Sequence, residues 1–429
     1  MNPRRVVTNV RAVGAIRILA LVAGLAPAMY AQSTKVVTPR RVAPALVRKV
    51  DSTRKTPAAA AVGTKVVGTK VVGPNLVAVP QDTPKTTAPP PKRSAWPAAR
   101  IAAGFQLPRV DTSAKQDTRP LSPEMDSLSR ALASPSWPAR AEAVARLNEH
   151  PVADIPKSVA SRMIDLLNRE GAADTTGGAG RDQTGNEADA EARSEYLIAL
   201  SDGVLRFRDE RSLAGLALLG IQTSSEAQRF VASRGAASLP YLELAVRAKP
   251  RAAPHAVTTM AYVLRDTRQL SQTDSARALA TIMHASAEHP IAFTSASRIA
   301  GIRDAAPLLA RISETQTNEL VKASAVRTTA QLRATRLVVK PELQVGQLAQ
   351  TLAAACSALT TPAACTLPTG LLSQARAAIL KNDNRTATAN LERFAIEIER
   401  QVKTGSSFTQ DQGVVLTQSA RDIEARLKA

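Results

Sequence analysis

Four histidines and two cysteines are the side chains of this chain best suited to proton transfer, metal binding or thiol chemistry near neutral pH. His150, His255, His284 and His289 are scattered. No pair has the HExxH spacing that sets two ligands on one helix face, and no Cys/His cluster accompanies them. His150 and His289 each precede a proline at an expected helix end, where a protonated imidazole complements the helix dipole. Nucleophile and phosphate motifs are missing too. There is no Gly-x-Ser-x-Gly elbow, and no glycine-rich loop ends in Lys-Ser or Lys-Thr. Gly63-Thr64-Lys65 and Gly68-Thr69-Lys70 lie in a tract with no strand or helix beside them. Glu392, Glu397 and Glu399 lie near Arg393 and Arg400, which reads as a solvated helix face. The sequence therefore singles out no catalytic residue, no cofactor site and no metal ligand. A secreted hydrolase with unrecognised residues stays as the enzyme-class alternative.

Cys356 and Cys365 are the two cysteines. In an exported chain an even, closely spaced pair predicts a disulfide, and Pro362 supplies a turn between them. Two free thiols are the alternative. Redox or metal chemistry is the weaker reading, since the spacing is not Cys-x-x-Cys and no histidine is near.

Export is predicted from the first residues. Arg4, Arg5, Arg11 and Arg17 lead into an apolar run from Ile18 to Ala28, followed by the small-residue exits Ala26-Pro27-Ala28 and Ala31. That order is a signal peptide over 1–31, leaving a periplasmic or extracellular mature protein with no transmembrane segment. A spanning helix needs about 20 apolar residues, and this run is shorter. An uncleaved anchor is the alternative.

Residues 32–120 read as a long disordered linker, broken by prolines and poor in large apolar side chains. Thr-Lys-Val-Val recurs at 34–37, 64–67 and 69–72. The whole chain carries a formal charge of +20, and between 32 and 100 thirteen basic residues face two acidic ones. Arg40, Arg41, Arg48, Lys49, Lys65, Lys70, Lys92 and Arg93 are the candidates for contact with an anionic envelope surface, a contact that salt should weaken. The plainer reading is a solvated spacer. Nucleic acid is the least expected polyanion, because Trp96 is the one aromatic among these basic residues. Trp96 and Trp137, each next to a proline, read as anchors rather than sugar platforms.

The elements beyond residue 120 are expected to be helices throughout. Aromatics are 3% of the chain while alanine is abundant, which favours close helix packing over a β core. Over 121–338, short helices come in pairs. Ser122-Pro123-Glu124, Ser136-Trp137-Pro138, Ile155-Pro156, Ser224-Ser225-Glu226, Leu239-Pro240, Pro254, Asp274, Pro290 and Asn318 mark starts, and Gly220 marks a stop. Residues 171–189 read as a flexible loop without EF-hand spacing. From 344 a separate module follows. Its long stripe is Ala387, Leu391, Phe394, Ile398 and Val402, closed by Gly405, and a Thr409/Gln412 capping box opens the last helix.

Two resemblances sit on these residues. Ser136 to Leu147 resembles one helix of a HEAT unit, and starts recurring every 30–45 residues or so resemble HEAT or armadillo-like α-solenoids. An irregular helical bundle is the alternative. Gly370-Leu371-Leu372, Asn382-Asp383-Asn384, Ala387 to Phe394, Val402, Gly405, Thr409 and Gln412 are similar to the FIMAH domain, a small C-terminal helical module of exported bacterial proteins. That resemblance implies export and an accessory module, and brings no catalytic residues. The expected whole is all-α: an irregular α-solenoid of paired short helices plus a small C-terminal helical bundle. The expected function is an exported, non-enzymatic scaffold for a protein partner.

Overall fold

A computed structural model describes residues 95–98, 106–173, 187–220 and 224–429. The expected signal peptide, the repeated Thr-Lys-Val-Val motifs and most of the expected linker lie outside the described residues. What is described is all-helical. The helices, in chain order, are α1 (Pro123–Leu132), α2 (Trp137–Glu149), α3 (Lys157–Ala173), α4 (Glu187–Leu205), α5 (Leu213–Leu219), α6 (Ser225–Ser233), α7 (Leu239–Ala248), α8 (Ala253–Asp266), α9 (Gln272–Glu288), α10 (Pro290–Ala300), α11 (Ala306–Thr315), α12 (Glu319–Val338), α13 (Pro341–Cys356), α14 (Thr366–Leu380), α15 (Asn384–Thr404) and α16 (Gln410–Lys428). No strand occurs among the described residues.

Local chemistry sets most of the helix starts. The first backbone N–H groups of a helix have no partner inside it, and a side-chain oxygen just before the helix can accept from one of them. Ser122 Oγ accepts from Met125 N at 3.2 Å, and Ser224 Oγ from Ala227 N at 3.3 Å. Asn318 Oδ1 accepts from Leu320 N at 3.0 Å. The expected capping box is formed in both directions: Thr409 N donates to Gln412 Oε1, and Gln412 N to Thr409 Oγ1. Two expected starts are displaced. The helix expected at Asp274 begins at Gln272, because Ser271 Oγ is the cap and accepts from Asp274 N at 3.0 Å. The helix expected after Gly370 begins at Thr366, with Pro368 in its first turn, where a missing N–H costs nothing.

The helices stack in two series. Odd-numbered helices pack in succession from α1 through α3, α5, α7 and α9 to α11, and even-numbered ones from α2 through α4, α6, α8 and α10 to α12. Apolar stripes face inward between the series, including Leu147, Met163, Leu167, Leu200, Val257, Met260, Ile282, Phe293 and Leu309. Where α3 crosses α5 the backbones touch through Gly171 and Gly215. A Cβ on Gly215 would lie 2.6 Å from Leu167 Cγ and 2.9 Å from Leu167 carbonyl carbon, so only glycine fits. Asn168 on α3 then caps α5. Its Oδ1 accepts from Gly215 N at 2.8 Å, and its Nδ2 donates to the Arg211 carbonyl at 3.0 Å.

Three of the expected boundaries meet described residues. Of the loop expected over 171–189, residues 171–173 belong to α3 and 187–189 to α4, and the rest lies outside the described residues. The folded part reaches upstream of 121: Trp96 is fully buried, and Asp117 accepts from the Ser158 N–H at the start of α3. The C-terminal helices expected from 344 pack against the stack. α13 packs on α9 and α16 on α11, and all described residues belong to one compact unit.

Candidate functional site

The expected disulfide is present. Cys356 ends α13 and Cys365 precedes α14, with Cα atoms 6.3 Å apart, tying the two ends of the turn through Pro362. The candidate polyanion contacts Arg40, Arg41, Arg48, Lys49, Lys65, Lys70, Lys92 and Arg93 lie outside the described residues.

The four histidines are not brought together around one centre. His284 on α9 holds the upstream segment, with its Nδ1 2.9 Å from the Trp96 carbonyl oxygen. Since a carbonyl only accepts, that nitrogen carries the proton. His150 Nε2 lies 3.7 Å from Glu124 Oε1. His255 and His289 have pKa values pushed below the ordinary imidazole range, chiefly by burial. For His289, burial outweighs the pull of Glu288, and the neighbouring His284 adds to the lowering, which works against the cation expected at that helix end. No group of three or more His, Cys, Asp or Glu side chains is placed to hold a metal among the described residues.

Charged groups inside the stack pin helices to one another. Arg140 on α2 donates to the Ser134 and Pro135 carbonyls and pairs with Glu170 on α3 at 2.9 Å, while Arg193 on α4 reaches the other Glu170 oxygen at 3.3 Å. Lys249 is buried and donates from Nζ to the Gly171 carbonyl. Glu243 on α7 is wholly buried and pairs with Arg277 on α9 at 2.6 Å. Burial pushes the Glu243 carboxyl up, with Arg277 partly opposing.

The richest network joins the stack to the C-terminal helices. Arg336 on α12 pairs with Asp304 at 2.7 Å and with Asp422 on α16, and Asp304 accepts from Thr351 Oγ1 on α13 at 2.7 Å. Arg311 on α11 pairs with Asp411 on α16, and Arg426 donates to the Arg336 and Val339 carbonyls. These partners are 30 to 100 residues apart in sequence, which is why periodicity and local spacing give no sign of them. The only sequence signal is the presence of charges at positions that otherwise read as helix interior.

One open cleft of about 720 Å³ is lined by Asn148, Asp202, Gly203, Arg206, Arg208 and Glu226, among others. Its two arginines are occupied. Arg206 donates to the Asn148 and His150 carbonyls, and Arg208 pairs with Glu226. Several helices instead expose large apolar side chains, among them Leu320, Leu337 and Val338 at 80%, 74% and 82% exposure, with Leu380 and Ile396 on the C-terminal helices. No helix among the described residues is long and apolar enough to cross a membrane.

No family model matches this chain, no curated protein matches it, and no solved structure matches it.

Proposed function

We propose that this chain is an exported, non-enzymatic scaffold that uses its helical stack to bind a protein partner at the cell envelope. The observation that carries the reading is the exposure of large apolar side chains on well-formed helices whose opposite faces are buried. Where such side chains gather on one helix, as Leu320, Leu337 and Val338 do on α12, they fit an interaction surface, and their charged neighbours fit a polar rim. The succession of odd on odd and even on even helices supports an irregular α-solenoid, an architecture that offers extended binding faces. The disulfide supports an oxidising compartment, in keeping with the arginine-led leader and with the FIMAH-like spacing of the C-terminal helices.

A second reading rests on the thirteen basic residues against two acidic ones over 32–100: the tail grips an anionic envelope polymer. Deleting residues 32–94, and sparing the buried Trp96, separates the two. Salt-insensitive retention of the deleted chain at the envelope supports the scaffold. Retention lost on deletion, and lost in the intact chain on raising salt, supports the tail. If crosslinking in cells captures no protein on the helical surface, the scaffold reading fails.

A further inference from the structure

The even series of helices ends at α12, and nothing among the described residues continues it. α12 buries Val321, Ala325, Thr328, Thr329 and Leu332. α14, the next even-numbered helix, packs on α13 and α15 instead. The opposite side of α12 is therefore open over its 20 residues, about 30 Å of helix.

That open side carries a recognisable pattern. Leu320, Ala323, Arg327, Ala330, Ala334 and Leu337 follow one another at alternating gaps of three and four residues, and all are exposed. This is the spacing of a coiled-coil seam, here with a leucine at each end and three alanines and Arg327 between. Alanines in the middle let another helix backbone approach closely.

The charges beside the seam decide what fits. Glu319 is held by Lys322 at 2.7 Å, and Arg336 is held by Asp304 and Asp422. Arg327, Arg333 and Lys340 form no ion pair among the described residues, and no unpaired acid lies between 319 and 340. An antiparallel second copy would match the seam, Leu320 to Leu337 and Ala323 to Ala334, but would set these cations against their own counterparts. The chain's own basic tail meets the same repulsion. An anionic bilayer meets a seam with leucines only at its two ends and a middle of alanine and arginine, which has no large apolar side chain to insert into lipid.

We propose that the open side of α12 docks an amphipathic helix of a partner protein, apolar along one stripe and flanked by Asp or Glu, which takes the place of the next helix in the even series. The inference rests on the scaffold reading and names its surface. Leu320 and Leu337 grip the partner's stripe at the two ends. Arg327 and Arg333 fix its register by pairing with its acids.

The test places a photo-crosslinking residue at Ala330 of the full chain in its native cells, and in separate strains at the exposed Ile198 and Ile291. The expected product at Ala330 is a peptide from an acidic amphipathic helix, with yield falling as salt rises. The variant R327E/R333E should lower that yield by about tenfold with an unchanged melting temperature, since both sites are solvent-facing. Leu337→Asp should do the same through the seam. Capture at Ile198 or Ile291 but not at Ala330 overturns the α12 site and leaves the scaffold reading standing. Capture at none of the three overturns both. A crosslink at Ala330 to lipid, to a second copy, to the chain's own tail or to a segment without flanking acids overturns the proposal, as does a yield indifferent to R327E/R333E.

Discussion

His284 Nδ1 lies 2.9 Å from the main-chain oxygen of Trp96, across 188 residues of sequence. The bond fastens a short upstream segment to α9, and the Trp96 ring is fully buried. Trp96 is thus part of the folded unit, although the residues around it have a linker's composition.

The Trp96 contact gives the first prediction. Trp96→Ala removes a large buried ring and should cost about 3–5 kcal/mol in chemical denaturation. Trp96→Phe should cost less, because the indole nitrogen has no hydrogen-bond partner to lose. Equal losses for the two variants would show that the ring's size is not what matters.

Arg336 should couple the stack to the C-terminal helices. Its guanidinium is nearly buried between Asp304 and Asp422. Arg336→Ala strands the buried Asp304 and should destabilise the protein by about 3–5 kcal/mol. Asp422→Asn, at the more exposed end, should cost far less. Urea melts followed by circular dichroism distinguish them, and similar losses for both would argue against the buried pair.

The disulfide closes a short loop. Reduction, or the paired variant C356S/C365S, should lower stability by roughly 2.5–3 kcal/mol on the chain-entropy account. Melting with and without dithiothreitol reads this directly. An unchanged melt would mean that the turn through Pro362 is held by packing alone.

Acid should act through the two depressed histidines. Their folded values lie below the ordinary 6.5, so the folded state holds its protons less tightly than the unfolded chain. Their contribution is therefore complete above pH 6.5 and is lost as the pH falls through the folded values. Glu243, raised by burial, acts with the opposite sign, losing stability as the pH rises from 4.5. The difference in melting temperature between wild type and H255N/H289N isolates the histidines. It should change between neutral and mildly acidic pH, and a flat difference would refute the assignment.

Helix starts were the most legible part of the sequence, because a cap is a short-range event. Ser122, Ser224, Asn318 and the Thr409/Gln412 box each satisfy N–H groups within three residues. The cysteine pair was legible for the same reason. The contacts across 344 were not legible, since helix texture changes there while Arg336, Thr351 and Asp411 bind across it through partners far apart in sequence. Trp96 was legible as an anchor but not as a member of the fold, since what receives it lies on α9. The open side of α12 was hidden because its hydrophobic residues fall on two opposite faces, which blurs a single stripe.

The return of α13 onto α9, and of α16 onto α11, bears on how such a molecule can change over generations. An open array of repeats grows by duplication at its free end. Here the odd series is already occupied at that end, so a duplicated pair of helices would have to displace α13 and α16 and break the Arg311 and Arg336 pairs. The C-terminal helices thus close the odd series, while the even series stays open at α12.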